Sequence, residues 1–332
     1  MKAWVSHAAG GPETLVFEEI PLPLPAEGEL RVRVAAVGIN FPDSLLIRDL
    51  YQVKPPRPLV PGSEFCGTVD AIGHGVTLFA PGDTVIGRCG WGALAQQIVL
   101  AQERCMRIPV GLPAAEAAGF QFAYATAYHA LHDAARLRAG ETLLVLGAAG
   151  GVGTAAIEVG RALGATVLAA ASTQAKLDFA LAVGATGGRV YDAKLAAGDG
   201  QKALAKQFKE LAPGGVDVVL DPVGGLYTEP ALRSLAPGGR HLVIGFTAGV
   251  PHVPLNLTLL KRSSIVGVDW RMFVQERPDL NAANVEVLLK LWKEGRICPK
   301  VTERFALHEA PQAIARLETR NAVGKIVVDM TR

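Results

Sequence analysis

The sequence has little cysteine. Its four cysteines, Cys66, Cys89, Cys105 and Cys298, are far apart, form no CxxC pair and have no neighbouring histidine at a metal-ligand spacing. These spacings exclude the usual signatures of a structural zinc site or of a small disulfide-rich domain. We therefore expect reduced thiols, most of them buried.

Charge and long apolar runs are also scarce. Charged residues make up 19% of the chain, the net charge is +2, and Lys261 and Arg262 are expected to be an ordinary solvated pair. No uncharged apolar run reaches the length that spans a bilayer. The composition predicts a cytoplasmic globular protein with neither a nucleic-acid nor a membrane partner.

The chain is long enough for two domains, and it shows two patterns. Up to about Leu112, short β-rich runs such as "ELRVRVAAVGI" are separated by Gly and Pro clusters, which indicates an irregular β domain. From about Ala114, predicted strands such as "TLLVLG" and "VDVVLD" alternate with predicted helices. This alternation predicts an α/β fold with a doubly wound parallel sheet, and the last part of the chain is expected to return to the first domain.

A glycine-rich stretch, "AAGGVGTAA", lies between a predicted strand and a predicted helix. A nucleotide-binding loop needs glycines for a tight turn and for close backbone approach to phosphate, followed by a helix N-terminus that binds the anion. Two registers fit the motif, and we favour the one that starts directly after the strand, which is expected to end near Gly147. The alternative register is Gly151, Gly153 and Ala156. The predicted phosphate-binding residues are Ala148, Gly150, Gly151, Val152 and Gly153.

The end of the second predicted strand indicates which nucleotide is bound. An Asp or Glu there would bind the ribose hydroxyls of NAD, but the segment reads "AAASTQAK" and has no carboxylate. Ser172 and Thr173 offer hydroxyls instead, and Lys176 lies within one helical turn of them. Ser172 as a helix N-cap and Lys176 as a surface lysine are the alternative, which is compatible with binding. We expect NADPH in preference to NADH.

With these residues identified, the chain resembles a medium-chain dehydrogenase/reductase of the zinc-free, zeta-crystallin-like quinone oxidoreductase branch. Segments that carry the resemblance include "PLVPGSEFCGTVDAIGHGV", "TAYHAL", "AAGGVG" and "AVGKIVV", in family order over nearly the whole length. The resemblance implies a GroES-like β domain, residues 1–121 and 265–332, split around a Rossmann domain, residues 122–264. It also implies a homodimer.

Zinc alcohol dehydrogenases of the same superfamily differ from this chain at their ligand positions. They place a cysteine ligand in the segment that reads "GINFPDS" here and a histidine ligand in the segment that reads "PGSEFCG". Asn40 and Ser63 stand at those places, and although Glu64 remains, one carboxylate cannot replace three protein ligands. We expect no metal.

The resemblance also implies residues around the cofactor. Thr126 is expected near the nicotinamide end. Tyr191 is expected near the adenosine phosphate beside Lys176, although a packing role at a strand end is equally favoured for it. Further expected neighbours of the cofactor or of a domain interface are Phe246, Asn256 and Lys325.

The segment "GINFPDSLLIRDLYQ" carries the expected catalytic residues. In the resembling family it lines the cleft that faces the nicotinamide, and Tyr51 matches a tyrosine that donates a proton or orients substrate in related enoyl reductases. Asn40 is expected to hold the substrate carbonyl or the nicotinamide ribose. The alternatives are a packing aromatic for Tyr51 and a turn residue for Asn40. Asp43 is expected to cap a helix or anchor a loop.

The expected reaction is hydride transfer from NADPH to a quinone or an α,β-unsaturated carbonyl, because a conjugated acceptor needs no metal to polarise it. A 2-enoyl thioester reductase is an alternative. A non-catalytic NADPH-binding protein with a structural or RNA-binding role is another, although no basic stripe supports it. The β-prone run "SSIVGVDW" near the end of the central sheet indicates edge pairing in a homodimer, with an internal strand as the alternative.

Overall fold

The computed structural model describes residues 1–109 and 111–332. The strands are β1 (Lys2–Val5), β2 (Val16–Glu19), β3 (Glu29–Ile39), β4 (Glu64–Ile72), β5 (Thr84–Arg88), β6 (Gln97–Ala101), β7 (Cys105–Arg107), β8 (Thr142–Leu146), β9 (Thr166–Ala171), β10 (Gly187–Val190), β11 (Val216–Asp221), β12 (Leu235–Val243), β13 (Ser264–Gly267), β14 (Val301–Ala306) and β15 (Lys325–Asp329). The α-helices are α1 (Phe41–Ile47), α2 (Ala114–Ala118), α3 (Gln121–Tyr128), α4 (Gly151–Ala162), α5 (Gln174–Val183), α6 (Asp199–Leu211), α7 (Thr228–Ser234), α8 (Asn256–Lys261), α9 (Trp270–Glu276), α10 (Pro278–Lys293) and α11 (Ala310–Glu318). Short 3-10 turns cover Pro12–Thr14, Gln102–Arg104, Gly225–Tyr227 and Leu307–Glu309, and His129–Ala134 is π-helical.

The chain forms two compact units. Strands that alternate with helices and form a parallel sheet confirm the predicted α/β class. Unit 1 comprises Met1–Phe122 and Pro299–Arg332, and unit 2 comprises Ala123–Cys298. No helix of the described residues is long and apolar enough to cross a membrane.

Unit 2 is built on a parallel sheet with the strand order β10-β9-β8-β11-β12-β13. The chain runs outward from β8 to β10, then crosses to β11 on the other side of β8. Such a reversal leaves a crevice at the carboxyl ends of the two central strands, where α/β proteins bind ligands. Four successive buried residues in β8, Leu143 to Leu146, show that both faces of this strand are covered, as is usual in a parallel sheet.

Unit 1 contains a mostly antiparallel sheet. Among its described residues the strand order is β14-β15-β3-β4-β5-β7, with β6 also paired to β3, and β1 and β2 form a separate pair. Alternating burial along β3 fills the core from one face, with Leu30 and Val32 inaccessible to solvent. Ile326 of β15 lies opposite Ile39 of β3, so distant parts of the sequence share this core.

The structure corrects one of the two expected domain boundaries. The first falls between Phe122 and Ala123, beside the predicted position, whereas the second follows Cys298 rather than residue 264. Strand β13 pairs with β12 in unit 2, and the two helices that follow it are joined there by the 2.9 Å hydrogen bond from Trp270 Nε1 to Asn281 Oδ1. The periodicity of this segment predicts the element types but not the partner on which the helices pack.

The alternating pattern that begins at about Ala114 opens with a helical stretch that runs to Ala134. It is divided into α2, α3 and the π-helical segment. Gly119 ends α2, since its φ of −91° and ψ of 3° lie outside the helical range.

Candidate cofactor and substrate site

The glycine loop occupies the predicted place between β8 and α4. Gly147 follows β8 with a φ of +58°, a conformation that favours glycine. A Cβ added at Gly153 would lie 2.4 Å from the Gly147 carbonyl oxygen, so the loop and the helix approach too closely for any side chain. Gly153 belongs to both registers of the motif, so the choice of the one that starts at Ala148 stays a prediction. Gly147 was expected only as the end of the strand, and its left-handed conformation makes it the first residue of the turn instead.

The first turn of α4 offers an anion site. Its N-cap, Gly150, has no side chain to bind the N–H groups of the first turn. Gly151 and Val152 are the first helical residues, and they are partly exposed. A helix N-terminus with free N–H groups and a favourable dipole suits a pyrophosphate. The loop thus fits a dinucleotide phosphate, and which of its N–H groups bind stays a prediction.

Ser172, Thr173 and Lys176 lie together at the carboxyl end of β9. Nζ of Lys176 donates to Oγ of Ser172 over 3.3 Å. Thr173, not Ser172, is the N-cap of α5, because its hydroxyl accepts the Lys176 N–H at 3.3 Å. The Ser172 hydroxyl and the Lys176 ammonium therefore form a polar pair at the strand end, without a carboxylate in the intervening segment.

Tyr191 follows β10 directly beside this pair. Its N–H donates to the Ala171 carbonyl over 2.9 Å. The residue is 7% exposed, and its ring lies 4.7 Å, centroid to centroid, from the ring of Tyr227. The structure thus gives Tyr191 the packing role, and its proposed contact with the cofactor stays a prediction.

Two further loops border the carboxyl edge of the sheet. Asp221 ends β11 and Phe246 follows β12, with 46% of the Phe246 residue exposed. Sequence analysis named Phe246 but missed Asp221, whose signal was a buried strand ending in an acid before "PVGG". Thr126 is buried in α3, and Asn256 begins α8.

In unit 1, Asn40 belongs to a buried polar cluster that we call the Lys325 cluster: Asn40, Asp43, Ser63, Glu64 and Lys325. Nζ of Lys325 donates to Oε1 of Glu64 over 2.7 Å and to Oδ1 of Asn40 over 2.5 Å. Nδ2 of Asn40 is 2.9 Å from the same Glu64 oxygen and 3.2 Å from Oγ of Ser63. Lys325, expected beside the cofactor or at a domain interface, is thus held by partners within unit 1.

Asp43 caps α1, as the sequence predicted. Its Oδ2 accepts the Asn40 N–H over 2.7 Å, whereas Oδ1 is buried without a hydrogen-bond partner among the described residues. Burial raises the pKa of Asp43 to about 7, against the opposing effects of the Asn40 N–H, the Lys325 ammonium and the Ser63 hydroxyl. This carboxyl group therefore titrates near neutral pH.

Tyr51 lies in the bend that follows α1 and is partly exposed. Helix α1 lies between Asn40 and Tyr51 in the sequence, and Asn40 is both the N-cap of α1 and a member of the Lys325 cluster. The catalytic roles of Tyr51 and Asn40 stay predictions.

Comparison with known proteins agrees with this division. Residues 26–110 match the family described as an alcohol dehydrogenase GroES-like domain, and residues 151–285 match the family described as a zinc-binding dehydrogenase. The second match extends beyond residue 264, in keeping with the corrected boundary.

Several similar proteins are oxidoreductases or are named after them. Quinone oxidoreductase-like protein 2 of Bos taurus is 37% identical over 319 residues, covering 95% of this chain and 89% of that protein. The quinone oxidoreductase of Thermus thermophilus, solved also with NADPH, is 33% identical with a TM-score of 0.82, covering 99% of this chain and 100% of the other. The CurK enoyl reductase is 27% identical with a TM-score of 0.86, covering 99% and 98% of the two chains.

The zinc implied by one family description does not fit the residues present. Among the described residues, no group of three or more His, Cys, Asp or Glu side chains has the arrangement of a metal site. Glu64, the one carboxylate retained at the expected position, already binds the ammonium of Lys325. Together with the two matched families, the fold and the similarity to quinone oxidoreductases, this shows that the chain belongs to the medium-chain dehydrogenase/reductase superfamily, in its zinc-free, quinone-oxidoreductase-like branch.

Proposed function

We propose that this oxidoreductase uses NADPH to reduce a quinone or an α,β-unsaturated carbonyl. The observation that carries the proposal is the geometry of the carboxyl edge in unit 2. A glycine loop and an open helix N-terminus lie at the reversal of strand order, and the next strand, β9, is followed by Ser172 and by Lys176 in the first turn of α5, without a carboxylate between them.

The choice of NADPH depends on charge. A carboxylate at the end of β9 would repel the 2′-phosphate of NADPH, whereas the Lys176 ammonium attracts it and the Ser172 hydroxyl can donate to it. The complex of the Thermus thermophilus enzyme with NADPH supports the same choice by similarity.

The proposed reaction needs little polarisation of the acceptor by a metal. When bound, NADPH supplies a hydride, and a conjugated acceptor spreads the resulting charge onto its oxygen. The chain must position the acceptor, stabilise that charge and deliver a proton. We assign the proton to the Tyr51 hydroxyl for enones. A quinone forms a more stable reduced anion, which can take its proton from water.

A substrate panel tests this function. We expect NADPH-dependent turnover of a quinone, an alkenal or a simple enone, with kcat/KM for NADPH above that for NADH. Absence of turnover with all three, from a protein that still binds NADPH, contradicts the quinone or enone reductase, and absence of turnover with an enoyl-CoA as well favours a non-catalytic role.

A 2-enoyl thioester reductase is the second candidate, favoured by the similarity to the CurK enoyl reductase. It requires recognition of a pantetheine arm. A kcat/KM for an enoyl-CoA well above that for the corresponding simple enone supports this candidate, and equal values favour the first.

We also propose a homodimer, and a cytoplasmic location remains a prediction from the sequence. Among the described residues, β13 is the last strand in the sheet order of unit 2, and one of its edges has no neighbouring strand of that sheet. In α8, which precedes β13, Leu259 and Leu260 are 79% and 73% exposed. Adjacent exposed leucines and an unpaired strand edge each favour association with a second copy.

A further inference from the structure

The carboxylate of Asp221 is the centre of a buried hydrogen-bond network in unit 2. Its Oδ1 accepts the N–H groups of Val223 and Gly224, each over 2.8 Å. Its Oδ2 accepts the Thr228 hydroxyl over 2.7 Å and lies 3.1 Å from Nε2 of His241. One side chain thus binds the loop after β11, the start of α7 and the middle of β12.

The loop fixed by Asp221 is joined to the loop that carries Phe246. The Ala248 N–H donates to the Val223 carbonyl and the Gly225 N–H donates to the Gly249 carbonyl, both over 2.7 Å. A displacement of the first loop therefore displaces the second.

The same loop packs on the glycine loop. A Cβ placed on Gly147 would lie 3.0 Å from Cγ2 of Val223 and 3.5 Å from Cγ of Pro222. Because the carboxyl ends of β8 and β11 flank the reversal of strand order, this contact borders the crevice where a dinucleotide is expected. The position of Val223 thus affects the shape of the phosphate-binding turn.

His241 is the partner of Asp221 that lies deepest. It is fully buried, and its Nδ1 has no hydrogen-bond partner among the described residues. An ionised carboxylate only accepts, so Nε2 carries the proton that is donated to Asp221. Burial acts to raise the pKa of Asp221, but the hydrogen bond and charge of His241 and the bonds from Gly224 and Thr228 hold it below its usual value. The hydrogen-bond donors around Asp221 therefore stabilise its ionised form.

We infer that His241 is a positioning residue of the cofactor site: by donating to Asp221 it fixes the Pro222–Gly225 loop against the glycine loop, and so sets the affinity for NADPH. This inference rests on the proposed function, since it takes NADPH as the cofactor. In this proposal His241 contacts neither the glycine loop nor the cofactor. It acts through Asp221.

NADPH titration of His241 variants tests the inference. His241→Leu removes the donor, and we expect the Kd for NADPH to rise about tenfold, the lower end of what a lost hydrogen bond to a charged group gives. His241→Gln keeps an N–H that can reach Asp221 and is expected to restore most of the affinity. At saturating NADPH, kcat with the best substrate of the panel should change less than about threefold, because the loss lies in cofactor binding.

Two hydroxyl variants cover the case in which His241→Leu does not fold. Thr228→Val removes a donor to Asp221 and is expected to weaken NADPH binding in the same direction. Thr186→Val is the matched control: its hydroxyl donates to the Val167 carbonyl over 3.0 Å, near the amino ends of β9 and β10. We expect the control to leave the Kd for NADPH unchanged even if it lowers the melting temperature.

The outcomes separate this inference from the proposed function. Wild-type protein that binds no NADPH contradicts the proposed function. Wild-type protein that binds NADPH, with Thr228→Val and any folded His241→Leu protein binding equally well, contradicts only the positioning role. Equal weakening by Thr228→Val and Thr186→Val also contradicts it, because the effect would then follow general destabilisation.

Discussion

The ammonium of Lys325 lies 2.7 Å from Oε1 of Glu64, and both side chains are buried. The second oxygen of Glu64 accepts the Phe122 N–H over 2.8 Å, so the carboxylate is bound at both ends. Removing one member of such a pair leaves an uncompensated charge in a medium of low polarity.

We expect Lys325→Met to lower the free energy of unfolding by about 3 to 5 kcal/mol, the range for breaking a buried ion pair. The double variant Lys325→Met, Glu64→Gln should recover part of this loss, because the buried charge is gone. Urea unfolding monitored by circular dichroism measures both. Equal stability of the single and double variants would contradict the description of Lys325 and Glu64 as a buried ion pair. Lys290→Met, at an exposed lysine 3.9 Å from Glu294, is the control and should have little effect.

Asp43 gives a pH dependence with a defined sign. Because its pKa is raised to about 7 in the folded state, the folded protein holds this proton more tightly than the unfolded chain does. The stabilising contribution is therefore full below about pH 4 and is lost as the pH rises through about 7. Asp43→Asn cannot ionise, so its free energy of unfolding relative to that of the wild type should increase by about 2 to 3 kcal/mol as the pH rises from 5 to 8. Urea unfolding across that range measures this, and parallel curves would refute it.

Lys176 should control the choice between the two nicotinamide cofactors. We expect Lys176→Ala to raise the Kd for NADPH about tenfold, as loss of a charge-assisted bond to a phosphate gives, with little change for NADH. Fluorescence titration with both cofactors measures the ratio. Lys202→Ala, an exposed lysine paired with Asp199, is the control. Similar wild-type affinities for NADPH and NADH would remove the basis of this prediction.

Tyr51→Phe tests the proton donor. We expect it to lower kcat for an enone by roughly ten- to a thousandfold, the range for general acid catalysis, with NADPH affinity nearly unchanged. The measurement belongs under conditions where hydride transfer shows a kinetic isotope effect. Quinone reduction is the internal control and should fall less. An unchanged enone kcat would assign the proton to solvent.

Substitution of two exposed leucines tests the proposed homodimer. We expect the wild type to be a dimer at micromolar concentration, and Leu259→Glu with Leu260→Glu to give the mass of one chain, because two carboxylates would be placed in an apolar contact. Light scattering measures both masses. Leu24→Glu, at an equally exposed leucine of unit 1, is the control. A monomeric wild type would contradict the homodimer.

Local signals predicted the parts of the site that are continuous in sequence. The glycine loop, the Ser172 to Lys176 segment and the cap by Asp43 each lie within a few residues, where turn and capping chemistry is visible in the sequence. The alternative considered for Ser172, an N-cap of α5, lies one residue early, because adjacent hydroxyl residues can each fill that position and Thr173 does so here.

Contacts between distant segments could not be predicted in this way. Residues 40, 64 and 325 meet only because β15 pairs with β3 and β3 with β4. The bond from His241 to Asp221 likewise depends on the register of β11 and β12. The helices after β13 were assigned to the wrong domain for the same reason, since hydrophobic periodicity shows that a face is buried but not what covers it.

The division of unit 1 has a consequence for synthesis on the ribosome. β3 is paired in part by β15, and the core of this unit includes Ile314 of α11 and Val328 of β15. Residues 1–122 thus emerge without the strands that complete their sheet, whereas residues 123–298 emerge as a complete unit. Unit 2 can close its core first, and the part of β3 from Ala36 to Ile39 that pairs with β15 stays unpaired, and exposed to aggregation or chaperone binding, until residues 301–329 follow.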